Sequence, residues 1–179
     1  MRWFWIDRFL EFESGRRAVA VKNVSIAEEQ ISECALSMPV MPGSLIIEGL
    51  AQTGGLLVGE HGGFRERVVL AKLGKVVFHD CAHPGDRLIY ETEIEDVKST
   101  GAIVKATAHV EGRLVAEAHI VFAHLDGRFA GVELFDPAMF LGILRSYRLF
   151  EVGKQADGSP LQVPPHLLEA ENQLCHGRA

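Results

Sequence analysis

The stretch Pro39-Val40-Met41-Pro42-Gly43-Ser44-Leu45-Ile46-Ile47-Glu48-Gly49-Leu50-Ala51-Gln52-Thr53-Gly54-Gly55 constrains the fold more than any other part of the chain. It reads as a helix that is apolar nearly all round, the pattern of a buried helix rather than a surface one. Pro42 suits the first helical position, where its missing N–H costs nothing. The helix is expected to run to about Val58 and to end at Gly59 or in the Gly62-Gly63 turn. One carboxylate, Glu48, stands in its middle, with Gln52 one turn later on the same face. Desolvating a charged carboxylate is costly. Glu48 therefore meets a hydrogen-bond partner, faces a cavity or carries a raised pKa, and the last two suit catalysis.

A buried helix needs apolar surface around it, and the rest of the chain reads mainly as strands. Trp3 to Glu13 mixes aromatic and polar residues as a half-buried strand does, and Ser14-Gly15 is a turn signal before the Val/Ala-rich segment Arg17 to Val24. Ile26 to Met38 has no clear period and reads as loop or short helical turn. After the helix come Val68 to Phe78, Arg87 to Val97, Ala102 to Val110 and Arg113 to Ala123, the last two joined by the hairpin signal Glu111-Gly112. One long central helix wrapped by an antiparallel sheet of five or six strands is an α+β arrangement. Residues 1–125 form that unit.

Residues 126–179 read as an extension. Asp136-Pro137 carries an N-cap and a first-turn proline. Phe140, Ile143, Leu144 and Tyr147 follow at helical spacing, with Arg145 and Arg148 off the stripe. A helix near 137–150, packed on the core or on a partner subunit, is expected. Gln155 to Pro165 reads as a linker, and the tail to Ala179 as either flexible or one short helix.

Charge and cysteine content narrow the function classes. The net charge is −6, and no Lys/Arg run is dense enough to track a nucleic-acid backbone. No apolar run is long enough to span a bilayer, and Asp7 and Arg8 interrupt the N-terminal apolar run too early for a signal peptide. Cys34, Cys81 and Cys175 are widely spaced and form no CxxC pair, so neither a disulfide framework nor a metal site is expected. A reducing cytoplasm is the default. No cofactor is implied.

The stretch Pro39 to Gly55 closely resembles the central-helix motif of the FabZ-type 3-hydroxyacyl-acyl-carrier-protein dehydratases, which have the hotdog fold. Ile6-Asp7-Arg8, Val19 to Ser25, Lys75 to Phe78, Pro84-Gly85-Asp86 and Gly112 to Ala123 resemble the corresponding family segments, so the likeness covers roughly residues 1–125. It implies a homodimer or a larger oligomer of dimers, with the active site at the dimer interface. The substrate implied is an acyl thioester of acyl-carrier protein or coenzyme A. In the family a central-helix carboxylate handles the leaving β-hydroxyl, and that position matches Glu48. A backbone N–H at the helix start polarises the thioester carbonyl, and that position matches Gly43. The histidine that acts on the α-proton falls at Cys34, followed here by Ala35-Leu36-Ser37 instead of Phe-Pro-Gly.

That substitution bears on the chemistry. Eliminating water needs a base for a weakly acidic C–H and an acid for a poor leaving group. Histidine meets the first need unaided, whereas a cysteine becomes a thiolate readily only beside positive charge or a helix N-terminus. Cys34 reads either as the occupant of the vacated base position or as a small buried hydrophobe. Gly43 reads as a carbonyl-binding N–H or as a glycine needed for close packing. Gln52 orients Glu48 or bonds a neighbour.

Replacement bases are sought among the other histidines. His79-Asp80 and His83 lie near the end of a strand, while His61, His109, His119, His124, His166 and His176 have no motif around them and read as solvated or hydrogen-bonded side chains. Arg65, Arg67, Lys72 and Lys75, or Arg145 and Arg148, would serve a carrier protein or stand as solvated charge. Three functional readings result: a dehydratase, a non-catalytic acyl-binding subunit or heterodimer partner of an active paralogue, and an acyl thioesterase.

Overall fold

The computed structural model describes residues 4–32, 39–125 and 135–176. Cys34 and its followers Ala35-Leu36-Ser37 lie outside the described residues. The elements run β1 (Arg8–Glu13), β2 (Arg17–Asn23), α1 (Glu29–Ser32), α2 (Gly43–His61), β3 (Val68–Phe78), β4 (Arg87–Lys98), β5 (Gly101–Val110), β6 (Arg113–His124), α3 (Pro137–Ser146), α4 (Leu149–Val152), β7 (Gly153–Lys154) and α5 (Pro165–His176).

Seven strands form one sheet in the order β3-β6-β5-β4-β2-β1-β7. All neighbours pair antiparallel except β1 and β7, which pair in parallel through two residues each. The sheet wraps α2, as expected. β5 shows the cause most plainly. Its Ala102, Val104, Ala106, Ala108 and Val110 are buried in strict alternation, which turns one face toward the helix. The β5–β6 hairpin closes through Glu111 at φ 50° and Gly112 at φ 81°, both positive, which is the backbone of a type I′ turn.

The helix α2 starts one residue later than expected. Pro42 is the N-cap and Gly43 the first helical residue, and the Pro42 carbonyl accepts from the amides of Leu45 and Ile46. It runs past Val58 to His61, because Gly59 continues the helix and Gly62 caps it. Ile46, Leu50, Leu57 and Val58 are buried with strand residues such as Leu88, Val104 and Ile120 in one core. Gly49 is required by close approach: a Cβ there would lie 2.5 Å from the ring of Tyr90 on β4.

The extension belongs to the same core. Leu141, Leu144, Tyr147, Leu149, Leu161 and Leu167 are buried with the residues of the sheet and α2. The expected helix near 137–150 is broken at Arg148, whose φ is 56°, so α3 and α4 are separate. Asp136 caps α3 by accepting the Met139 amide at 2.8 Å. Gln155 to Pro165 is a tight connection, with Lys154 bridged to Pro160. Of the two readings of the tail, Pro165–His176 adopt the short helix.

Candidate active site

The residues Glu48, Ala51, Gln52, Gly55, Leu56 and Gly59 recur on α2 at three- and four-residue steps, which places them on one face of the helix. All six line a groove of about 980 Å³. Gly55 and Gly59 bring no side chains to this face, so the helix backbone forms much of the floor. The walls come from elsewhere in the chain. Phe64 and Val68 flank the start of β3, Phe122 comes from β6, Phe140 and Ile143 from α3, and His166 and Leu167 from α5. Phe64 meets Phe140 edge-on at 5.4 Å, and Phe135 stacks on Phe140 at the same centroid separation. The groove is mainly apolar.

Within it Glu48 and Gln52 are brought together as the spacing predicts. The Gln52 side-chain amide donates from Nε2 to Glu48 Oε1 at 2.9 Å, and its Oε1 accepts the backbone N–H of Trp5 at 2.9 Å. Both ends of the amide are therefore assigned, with nitrogen facing the carboxylate. One Glu48 oxygen is fixed by this bond, and the other has no protein hydrogen-bond partner among the described residues. Glu48 itself is half-buried. Tyr147, which lines the same groove, has its phenol pushed above the ordinary range by burial, and the Asp7 and Glu48 carboxylates add to the effect. Tyr147 is thus a neutral O–H near the carboxylate at neutral pH.

Gly43 lies elsewhere. Five residues separate it from Glu48, about 140° around the helix and ~7.5 Å along it. It is absent from the groove lining. The ring of Phe78, at the end of β3, covers it so closely that a Cβ at Gly43 would lie 2.8 Å from ring carbons. The first amides of α2 have no side-chain cap, so the helix start keeps N–H groups available to a carbonyl oxygen. Gly43 and Glu48 of one chain do not face a common space.

The other sequence candidates have structural occupations. His83 Nδ1 lies 3.2 Å from the Pro39 carbonyl, and the Met41 amide donates to the Ala82 carbonyl at 2.8 Å. Together these pin the approach to α2. His79 faces Glu117 at 3.8 Å, while Asp80 pairs with Arg113 rather than with its sequence neighbour. Arg65 and Arg67 line the groove, whereas Arg145 is tied to Glu171.

Two groove residues, Tyr147 and His166, carry no functional signal in the sequence. Tyr147 ends the apolar stripe of the extension, and that spacing alone does not mark its phenol. His166 had no motif to mark it. Its only signal was placement in a segment whose path the sequence did not give.

The FabA-like domain model matches residues 3–119. The 3-hydroxyacyl-[acyl-carrier-protein] dehydratase FabZ of Caldicellulosiruptor saccharolyticus is 39% identical over 119 residues, covering 66% of this chain and 85% of that one. Among solved structures, the dehydratase heterocomplex ApeI:P from Xenorhabdus doucetiae matches with a TM-score of 0.59 at 14% identity, over 70% of this chain and 86% of that one. A hypothetical thioesterase protein with coenzyme A from Streptococcus pneumoniae matches with a TM-score of 0.56 at 14% identity, over 66% and 84%. At such identities the solved structures speak for the hotdog fold, and the sequence matches speak for the family. The chain belongs to the FabA-like family, together with the FabZ-type 3-hydroxyacyl-acyl-carrier-protein dehydratases.

Proposed function

We propose that the protein is a 3-hydroxyacyl-thioester dehydratase of fatty-acid or related acyl-chain synthesis, taking acyl chains carried on acyl-carrier protein or coenzyme A. The observation that carries this reading is Glu48, oriented by Gln52 on the one helix face that lines a large apolar groove. An apolar groove with few polar groups suits an acyl chain whose reacting end needs one acid or base. Glu48 handles the oxygen at C3, and the amide at Gly43 receives the thioester carbonyl.

The helix geometry supports a site shared by two copies. Gly43 and Glu48 point about 140° apart, and Gly43 sits by Phe78 at the unpaired edge of the sheet. A homodimer would set Gly43 of one copy against Glu48 of the other. In this reading Cys34 holds the family's histidine position.

That cysteine also favours a second reading, in which the chain binds acyl groups and an active paralogue supplies histidine across a shared interface. Hydration of a crotonyl thioester by the parent protein, by Glu48→Gln and by Cys34→Ala separates the two. Turnover by the parent, with kcat lowered by about 100-fold or more in Glu48→Gln, supports the dehydratase. No turnover by the parent alone supports the partner-dependent subunit. Free thiol released in place of hydrated product would identify a thioesterase.

A further inference from the structure

The extension places a histidine in the groove that Glu48 lines. His166, in the first turn of α5, forms part of the wall with Leu167, while Glu48 and Gln52 lie on the α2 face. Its Nδ1 is buried and has no hydrogen-bond partner among the described residues, an uncommon state for a buried ring nitrogen. The segment that carries it is firmly seated. Leu167 is buried in the core, the Leu167 amide donates to the Pro164 carbonyl at 3.1 Å, and Glu171 of α5 pairs with Arg145 of α3. The other polar groups of the same groove are Tyr147, Arg65, Glu66 and Arg67. Among all of these, His166 brings the only imidazole, the side-chain type whose reference pKa lies nearest neutrality.

We infer that His166 is the proton-transfer partner of Glu48, supplied by the extension in place of the histidine absent at position 34. The inference rests on the acyl-thioester reading above. In the hydration direction the Glu48 carboxylate takes a proton from water as the water oxygen bonds to C3. The C2=C3 electron pair moves to C2, where the thioester carbonyl delocalises it, and the His166 imidazolium supplies the proton that C2 needs. Dehydration runs the same steps in reverse: imidazole removes the C2 proton, the C3–O bond breaks, and Glu48 returns a proton to the departing oxygen. Solvent exchange then resets both groups.

The test uses the full chain and the crotonyl thioester of N-acetylcysteamine, with parent, Glu48→Gln, His166→Ala and His166→Gln proteins. Expected for both His166 variants is a kcat lower by about 100-fold, with KM held within about threefold and melting temperature near that of the parent. Added imidazole should restore the rate of His166→Ala in a saturable way and leave Glu48→Gln unaffected. A purely structural role would not give that rescue. Parental kcat in His166→Gln overturns the inference while leaving an active, Glu48-dependent enzyme in place. A loss that imidazole does not restore overturns it as well, by making His166 a packing residue. A parent protein without turnover overturns both this inference and the reading beneath it.

Discussion

Gln52 uses both ends of its amide, accepting from the Trp5 backbone and donating to the Glu48 carboxylate. Removing it has two separable effects. Gln52→Leu keeps the shape but releases Glu48, and it leaves the Trp5 amide without that acceptor. A kcat about tenfold below the parent is expected, with a stability loss of about 1 kcal/mol from the unmet backbone group. Steady-state rates and a denaturant titration measure the two effects independently. Tyr90 has a buried hydroxyl with no hydrogen-bond partner among the described residues, and burial pushes its pKa far up. Tyr90→Phe removes the orphaned hydroxyl and leaves the ring against Gly49, so it should stabilise by about 1 kcal/mol. Gly49→Ala drives a Cβ into that ring and should destabilise by about 1–3 kcal/mol despite the better helix propensity. If Tyr90→Phe lowers the denaturation midpoint, the hydroxyl is satisfied in solution by a group such as water.

At the scale of elements, α2 carries a buried carboxylate in its last turn. Glu60 accepts a hydrogen bond from the Ser14 side chain, while its Oε2 is buried without a partner among the described residues. Burial raises its pKa above the ordinary 4.5, with Ser14 and His61 opposing the shift. A raised folded-state pKa means that the native chain holds this proton more tightly than the unfolded one. The contribution is therefore fully present below the unfolded value and lost as pH rises through the folded value. Glu60→Gln should raise the melting temperature by about 2 °C or more near pH 7.5, and the gain should shrink toward zero as pH falls below 4.5. An equal gain at every pH would assign the effect to something other than the charge. These elements also show what the sequence can carry. The bounds of β3 and the existence of β4, β5, β6 and α2 were legible because alternation and helical spacing are local. The Glu48–Gln52 bond was legible for the same reason, being one helical turn long. The break at Arg148 was not, since a positive φ in a non-glycine residue is fixed by surrounding packing. Nor was the place of His166, because only the tertiary path of Gln155 to Pro165 brings α5 against α3 at the wall of the groove. Gly43 and Glu48 matched the family together, yet only the folded helix shows that they face apart.

Among the described residues, one edge of the sheet is left open and the other is covered. At the β1 end, β7 from the extension adds two residues in parallel, pairing Phe12 with Gly153 and Glu13 with Lys154. At the other end, β3 runs for 11 residues with Leu70, Leu73 and Phe78 exposed along it. A long edge with exposed apolar side chains is a template for another strand, and a second copy of β3 satisfies it symmetrically. If two copies pair through β3, the parent sediments as a dimer and the variant with both Leu70 and Leu73 replaced by Glu sediments as a monomer. Such a pairing has a consequence for catalysis that leaves β3 itself untouched. Gly43→Val places bulk against the Phe78 ring and should abolish turnover at the site that uses that helix start, while Glu48→Gln abolishes it at the site that uses that carboxylate. Each variant alone is then inactive. If a site draws Gly43 from one copy and Glu48 from the other, a mixed dimer holds one site with both native groups and one with neither. Statistical mixing makes half of the dimers mixed, so unfolding and refolding the two variants together should recover about one quarter of the parental activity. Were both groups used from a single chain, every site in the mixture would lack one of them and no activity would return.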